Sequence, residues 1–293
     1  MRKGILYVAT GPFHLACALT SIRWLRAYGS INAPIAIVTD QPCVEEGVVR
    51  IDVPATEGLT SRSIKTRINQ LTPWEQTLYL DTDTLTLNDL SSVWDLLGDA
   101  ELAASLDFPA VVGRSDQQSS SAAEAAATLA ECEHDAPYLN SGVMVWRKGA
   151  RSDNLFCTWH EEWRRFAGID QKALARAIQK TNSRVAILPS SYNVLLNPID
   201  FPDPLIVRRD GTRVLHYISL NRDPRFLSLS PDSVVRDAPG VAAASGAESR
   251  RTRVPLHVSH SDPSARNPLA MAGPPVCYVC PECLAALRLL SRA

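Results

Sequence analysis

Two continuous apolar runs separated by an amphipathic helix most constrain what this chain can fold into. Ile5-Leu6-Tyr7-Val8-Ala9 closes on Thr10-Gly11-Pro12, and Ile35-Ala36-Ile37-Val38-Thr39-Asp40 follows Pro34. Between them, Ala16 to Tyr28 carries Leu19, Ile22, Trp24 and Leu25 at helical spacing, with Leu15 just before, and stops at Gly29. Runs without polar alternation belong to strands buried on both faces, and strands joined through helices make a parallel sheet covered by helices. Residues 48–53 supply a third candidate strand. The expected class is therefore α/β, with a mostly parallel central sheet flanked by helices.

The rest of the core follows the same rhythm. Ser63 to Leu71 places Ile64, Ile68 and Leu71 on one helical face, and Pro73 ends it. Thr77-Leu78-Tyr79-Leu80 reads as a strand, Asn88 to Leu97 as a short helix, and Leu102 to Leu106 as a strand ending at Asp107. Residues 115–136 are rich in Ser, Ala, Gln and Glu and fit either an Ala-rich helix or a loop. Tyr138 to Trp146 resumes strand character. A helix containing Trp159, Trp163 and Phe166 follows, then a helix from Gln171 to Ile178 and a strand from Val185 to Leu188. Val214 to Ile218 reads as the last strand of the core. Beyond about residue 224, Pro, Ser, Asp and Ala dominate and periodicity fades, so we expect a catalytic domain over 1–225 and a C-terminal extension over 226–293.

Charge and the chain ends narrow the function classes. Thirty basic residues against 31 acidic give a net charge of −1, which argues against general nucleic-acid binding. The apolar run after Met1-Arg2-Lys3-Gly4 is too short for a secretory core, and no apolar stretch reaches membrane-spanning length. The expected location is cytoplasmic, with peripheral membrane attachment left open, and Arg250-Arg251-Thr252-Arg253 is a solvated basic cluster in that region. Seven cysteines are too few for a disulfide scaffold of 293 residues. Three of them, Cys277, Cys280 and Cys283, follow His257 and His260. Such a set can assemble a structural Zn²⁺ site, while the irregular spacing and Pro281 also fit a reduced tail without metal.

Asp81-Thr82-Asp83 is the sharpest functional feature. A strand ending near Leu80 delivers both carboxylates to the C-terminal edge of a parallel sheet, where α/β folds place ligands. Two carboxylates one residue apart suit a hard divalent cation whose other positions take water and a diphosphate. Bound there, a cation neutralises charge on a departing nucleoside diphosphate. The same pair also occurs as a turn or helix cap.

Tyr79-Leu80-Asp81-Thr82-Asp83-Thr84-Leu85 resembles the metal-binding signature of retaining glycosyltransferases with the GT-A fold, in particular glycosyltransferase family 8, the glycogenin and bacterial lipopolysaccharide galactosyltransferase group. Other segments resemble that group in the same order, over roughly residues 5–220. Tyr7-Val8-Ala9-Thr10 is similar to its first strand and nucleotide-contacting loop, and Lys65 to its diphosphate-contacting lysine. Asp107 resembles a donor-sugar ligand, and Leu139-Asn140-Ser141-Gly142-Val143-Met144 its Asn-(Ser/Ala)-Gly strand. Asp170-Gln171 matches an Asp-Gln pair at a helix start, Leu188-Pro189 to Asn193 the segment before the final strand, and Val214-Leu215-His216-Tyr217 the segment carrying a metal-ligating histidine. The chain departs from the group at Gly11-Pro12-Phe13-His14, at Lys172, and after the histidine, where Arg222 or Arg225 stands in for a phosphate-gripping run.

The resemblance implies a metal-dependent transfer of a hexose from a UDP-sugar donor, with retention, to a saccharide, lipid-linked, protein or other acceptor. Asp81, Asp83 and His216 would hold Mn²⁺ or Mg²⁺, and the imidazole favours Mn²⁺. Thr10, Lys65, Asp107 and Arg222 or Arg225 would contact the donor, while Asn140, Asp170 and Gln171 would line the reacting sugar. Asp170 also fits a simple helix cap. Two other readings share the fold: a nucleotidyltransferase that forms sugar nucleotides, and a binding module without turnover. The first calls for a Gly-rich basic loop after the first strand, for which Thr10-Gly11-Pro12-Phe13 is a poor substitute.

Overall fold

The structure, a computed structural model, describes residues 1–53, 60–117, 121–196, 211–217 and 225–233. Ten strands, β1 (Lys3–Ala9), β2 (Ile35–Thr39), β3 (Val48–Asp52), β4 (Gln76–Leu80), β5 (Thr84–Thr86), β6 (Leu102–Val111), β7 (Pro137–Arg147), β8 (Val185–Ile187), β9 (Val194–Leu196) and β10 (Val214–Tyr217), form two sheets among these residues. The larger runs β3-β2-β1-β4-β7-β6-β8 and the smaller β5-β10-β9. Parallel pairing holds from β3 through β4 and between β6 and β8, while β7 runs antiparallel to both neighbours. The sheet is thus mostly parallel, with one reversed strand beside the carboxylate pair.

Apolar runs on β1, β2 and β4 are buried on both faces, which requires a helical layer on each side. On one face lies α1 (Gly11–Tyr28), packing Leu15, Ala18, Ile22 and Leu25 against Ile5, Tyr7 and Ile37. On the other lie α2 (Ser61–Lys65), α3 (Ile68–Leu71), α5 (Ala150–Phe166) and α6 (Asp170–Thr181), which contribute Ile64, Ile68, Trp159, Leu174 and Ala177. A third apolar cluster joins Trp24 of α1 to Leu85, Leu215, Tyr217 and Phe226, so the small sheet packs on the other side of α1. There α7 (Arg225–Ser228) and Leu229 close over Trp24, whose indole N–H donates to the Leu229 carbonyl at 3.4 Å.

Several expectations need correction. The first helix starts at Gly11 rather than Ala16, because Pro12 is preorganised for a first turn and Asp40 Oδ1 accepts the Gly11 N–H at 2.8 Å. The single helix expected over Ser63 to Leu71 is broken in two. Thr60 and Ser63 form a reciprocal capping box at the start of α2. The Ser63 carbonyl is then taken by the Thr66 hydroxyl and the Arg67 side chain, both competing with the helical ladder.

The strand expected to end at Asp107 runs on to Val111 through two register shifts, with Pro109 inside it, a position tolerated where the ladder is irregular. The helix expected over Asn88 to Leu97 is a 3₁₀ turn, Ser91–Leu97. The Ala-rich stretch contains a helix, α4 (Ala122–Glu131), whose Ser121 hydroxyl accepts the Glu124 N–H. The expected last core strand, β10, is buried and belongs to the smaller sheet. It pairs antiparallel with β5 and parallel with β9. Among the described residues no helix is long and apolar enough to cross a membrane.

Candidate active site

The chain leaves the large sheet for the small one at residues 81–83, and this crossing builds the site. Asp81 donates its backbone N–H to the Gly142 carbonyl of β7 at 2.8 Å, pinning the first carboxylate at the end of β4. The Asp81 carbonyl accepts from the Thr84 N–H at 3.3 Å and the Thr84 hydroxyl at 2.8 Å, which closes a tight turn and starts β5. Main-chain atoms thus serve the turn and leave both carboxylates for other partners. Because β10 pairs with β5 and sets His216 opposite Thr84, the imidazole arrives beside the two aspartates. His216 Nε2 lies 3.2 Å from Asp83 Oδ1 and 3.8 Å from Asp81 Oδ2. One ligand atom from each of the three residues lies within 4.8 Å of the others.

Lys65 comes from the end of α2 and is buried. Its ammonium is 2.9 Å from Asp81 Oδ2 and 3.2 Å from Asp170 Oδ2. Burial works against its charge, but Asp170 and Asp81 outweigh that penalty and raise its pKa. Asp170 opens α6 without capping it. Its carboxylate accepts from the Ser141 hydroxyl at 2.7 Å, and Arg62 approaches at 3.9 Å. Burial would raise the Asp170 pKa, yet Lys65, Ser141 and Arg62 together hold it below the ordinary carboxylate value. His216 shows the same competition, with burial lowering its pKa and Asp83 and Asp81 raising it to a net increase. Tyr79 donates its hydroxyl to Asp81 Oδ1 at 2.6 Å, and burial followed by the Asp81 charge pushes the phenol pKa well up.

A second arm of the site runs across β6, β7 and α6. Asp107 Oδ1 accepts from Asn140 Nδ2 at 3.3 Å, and Asp107 Oδ2 accepts from Gln171 Nε2 at 3.3 Å. Asn140 Oδ1 accepts from the Gly142 N–H and from Asn193 Nδ2, both at 2.8 Å. Asn193 Oδ1 faces His216 Nδ1 at 3.0 Å. One hydrogen-bonded chain therefore runs from Gln171 through Asp107, Asn140, Asn193 and His216 to Asp83. Of the residues expected at the site, Asp81, Asp83, Lys65, Asp107, Asn140, Asp170, Gln171 and His216 all belong to these linked contacts. Thr10 lies at the end of β1, where its hydroxyl meets that of Ser61 on the helix carrying Lys65. Arg225 opens α7 as an exposed residue. Arg222, the basic cluster at 250–253, and Cys277, Cys280 and Cys283 with their two histidines lie outside the described residues.

Several participants were not singled out from the sequence. Tyr79 and Ser141 hold carboxylates, and Asn193 links the two arms. Gly142 is also needed, since a Cβ there would collide with the imidazole of His216. Farther back, buried Glu124 of α4 accepts the Ile169 N–H at 3.2 Å, fixing the chain directly before Asp170 and Gln171. The advance signal was the placement of Tyr79, Ser141, Gly142 and Asn193 in segments already marked by resemblance.

The donor set of two carboxylates and one imidazole nitrogen suits a divalent cation. Among the described residues, Asp83's carboxylate is held by the imidazole alone, which leaves negative charge at the cluster for such an ion.

No protein-family model matches the sequence, and no curated protein matches it. Solved structures do share its fold. The galactosyltransferase LgtC, in complex with donor and acceptor sugar analogs, matches with a TM-score of 0.52 at 18% identity, over 73% of this chain and 87% of that one. An active-site mutant of LgtC gives 0.51 at 17% identity, over the same shares of both chains. The bifunctional glycosyltransferase WbbM, in its apo form, gives 0.56 at 17% identity, covering 78% of this chain and 50% of that one. At these identities the likeness shows the fold, which is that of the GT-A glycosyltransferases.

Proposed function

We propose, on the premise of this GT-A fold, that the chain is a metal-dependent glycosyltransferase. It moves a hexose from a UDP-sugar to an acceptor hydroxyl with retention of configuration. The observation that carries this reading is the convergence of Asp81, Asp83 and His216 at the crossing between the two sheets, with Lys65 locked beside them. A divalent cation held there, Mn²⁺ in preference to Mg²⁺, would neutralise charge developing on the leaving diphosphate.

The chain's own residues then divide the work. Asp170 and Asp81 hold the Lys65 ammonium at the same edge, where a fixed positive charge favours an anionic leaving group. Asp107 is oriented by Asn140 and Gln171, and these three groups offer donors and acceptors to sugar hydroxyls. Ser141 and Lys65 keep Asp170 ionised next to Gln171, so the reacting sugar meets a carboxylate and an amide on one side. Thr10 stands at the end of β1 beside α2, where the nucleotide would enter. Arg222 or Arg225 is assigned to the diphosphate, and we take the catalytic domain to end at 225. The protein is assigned to the cytoplasm. Cys277, Cys280 and Cys283 are proposed as ligands of a structural Zn²⁺ in that extension.

Calorimetric titration with a panel of nucleoside diphosphates and their sugars, with Mn²⁺ and with chelator, tests the reading on wild type and Asp83→Ala. Metal-dependent binding of a uridine nucleotide that Asp83→Ala abolishes is the expected result. Product analysis with the identified donor then reads the anomeric configuration. Nucleotide binding indifferent to metal and to Asp83, or no binding at all, would overturn the proposal.

A further inference from the structure

Three buried hydroxyls form a chain of fixed polarity that ends on the turn between the two aspartates. Tyr7 of β1, Ser21 of α1 and Thr84 of β5 are all 0% exposed, so each hydroxyl needs a partner inside the protein. A helical serine or threonine commonly returns its hydroxyl to the carbonyl one turn earlier, as Thr20 does to Ala16 at 3.1 Å. Ser21, one residue on, turns its hydroxyl to other elements, 3.2 Å from Tyr7 Oη and 3.2 Å from Thr84 Oγ1. The last bond sets the direction of the rest. The Asp81 carbonyl can only accept, so the Thr84 hydroxyl, 2.8 Å away, gives its single hydrogen there. Thr84 must then accept from Ser21, and Ser21, its own hydrogen given, must accept from Tyr7. Burial pushes the Tyr7 phenol pKa up against a smaller pull from Ser21, so Tyr7 remains a donor at neutral pH.

We infer that Ser21 is a positioning residue that acts through Thr84 to fix the Asp81–Thr82 peptide, and with it the placement of the Asp81 and Asp83 carboxylates. This rests on the reading of Asp81, Asp83 and His216 as a metal centre. A peptide unit is planar, so a carbonyl held by both the N–H and the hydroxyl of Thr84 orients the whole unit that leads into Thr82 and Asp83. The far side of the turn is pinned separately, by the Tyr217 N–H on the Asp83 carbonyl at 2.9 Å. The relay ties this turn to elements outside it. Tyr7 belongs to the large sheet, and α1 packs against both sheets, so the aspartates are registered to the two layers they join. Thr84 also pairs with His216 across β5 and β10, which places the end of the relay on the strand pair that delivers the imidazole. Neutral hydroxyls suit this position, because they orient the turn without adding charge to the cluster.

The test compares Ser21→Ala, Thr84→Val and the double variant in the full chain, with two readouts. Electron paramagnetic resonance reads Mn²⁺ affinity. Amide hydrogen exchange at Thr84 and Tyr217, in metal-free protein, reads opening of the turn, with Ala177 of α6 as a reference outside the relay. Each single variant is expected to weaken Mn²⁺ binding by about 10-fold. Exchange at Thr84 and Tyr217 is expected to rise by about 10-fold, the worth of one hydrogen bond, while Ala177 stays unchanged. The double variant is expected to match Thr84→Val alone, because Ser21 acts through Thr84. Losses that add in the double variant, or exchange that rises equally at Ala177, would assign Ser21 to packing alone and overturn the inference. Wild-type affinity and exchange in Ser21→Ala would overturn it as well. Tyr7→Phe keeps the ring, breaks the relay at its far end and is expected to shift both readouts in the same direction by less. Should Ser21→Ala fail to fold, a Tyr7→Phe protein indistinguishable from wild type overturns the inference. The same exchange response in a chain that binds no Mn²⁺ supports the relay and overturns the metal reading instead.

Discussion

The helix α6 joins two clusters of charge, and they are built on opposite principles. Behind the site, Arg165, Arg176 and Lys180 face Glu124, Glu131 and Glu162. Arg176 lies 2.9 Å from Glu162 and 3.4 Å from Glu124, and Lys180 lies 3.2 Å from Glu131. Arg165 bridges Glu131 and Glu162. Three cations meet three carboxylates, and the cluster is closed. At the N-terminal end of the same helix, Lys65 lies between Asp81 and Asp170, Arg62 reaches Asp170 only from 3.9 Å, and Asp83 has only an imidazole. A closed cluster locks α4, α5 and α6 together, whereas an open one keeps unbalanced negative charge that a cation can settle. Buried charge is costly unless paired, so an unbalanced cluster persists only where the surrounding fold holds it.

Breaking the closed cluster gives the largest expected effect. Arg176→Ala takes the guanidinium from fully buried Glu124, while Glu162 keeps Arg165 and Lys180, and urea unfolding is expected to show a loss of about 3–5 kcal/mol. Glu124 also loses its anchor beneath Ile169, so the turnover proposed above should fall with stability. The open cluster should respond in the other direction. Saturating Mn²⁺ at about 100 times its dissociation constant is expected to stabilise the wild type by about 2.7 kcal/mol. Asp83→Asn should be no less stable than the wild type without metal, yet gain none of that increment. A Mn²⁺-induced shift in the melting curve that survives Asp83→Asn would remove the distinction between the two clusters.

Smaller effects sharpen it. Gly142→Ala drives a methyl group into the His216 ring and is expected to cost about 1–3 kcal/mol by overpacking. Its Mn²⁺ affinity should drop, while the closed cluster keeps its contacts. Thermal melts with and without Mn²⁺ separate the two effects. Glu131 gives the smallest signal. Hydrogen bonds from Arg165, helped by Lys180, hold its pKa down to about 2 against an ordinary 4.5. A folded pKa below the unfolded one means that its contribution is present above about pH 4.5 and is lost as the pH falls through about 2. Glu131→Gln should therefore flatten part of the acid limb of a stability–pH profile by lowering the neutral plateau, by about 1 kcal/mol at most because this carboxylate is partly solvated.

The sequence by itself determined the layers and the edge at which chemistry would sit. Uninterrupted apolar runs such as Ile5 to Ala9 must be buried on both faces, and a strand running into Asp81-Thr82-Asp83 must deliver charge to a sheet edge. Those are local consequences of side-chain hydrophobicity and strand geometry, legible without any partner. Resemblance then pointed to His216, Lys65, Asp107, Asn140, Asp170 and Gln171, but left their contacts unstated. Tertiary structure alone decided that β10 belongs to a second sheet, which is what turns His216 toward the aspartates. It also broke the helix expected over Ser63 to Leu71, since side chains there outcompete the backbone for one carbonyl. The same folding buried Lys65 between Asp81 and Asp170, although its position in a helix suggests an exposed residue. Asn193 became visible only at this level, because the polarity of an amide is set by the groups that face it, and these come from strands far apart in the chain.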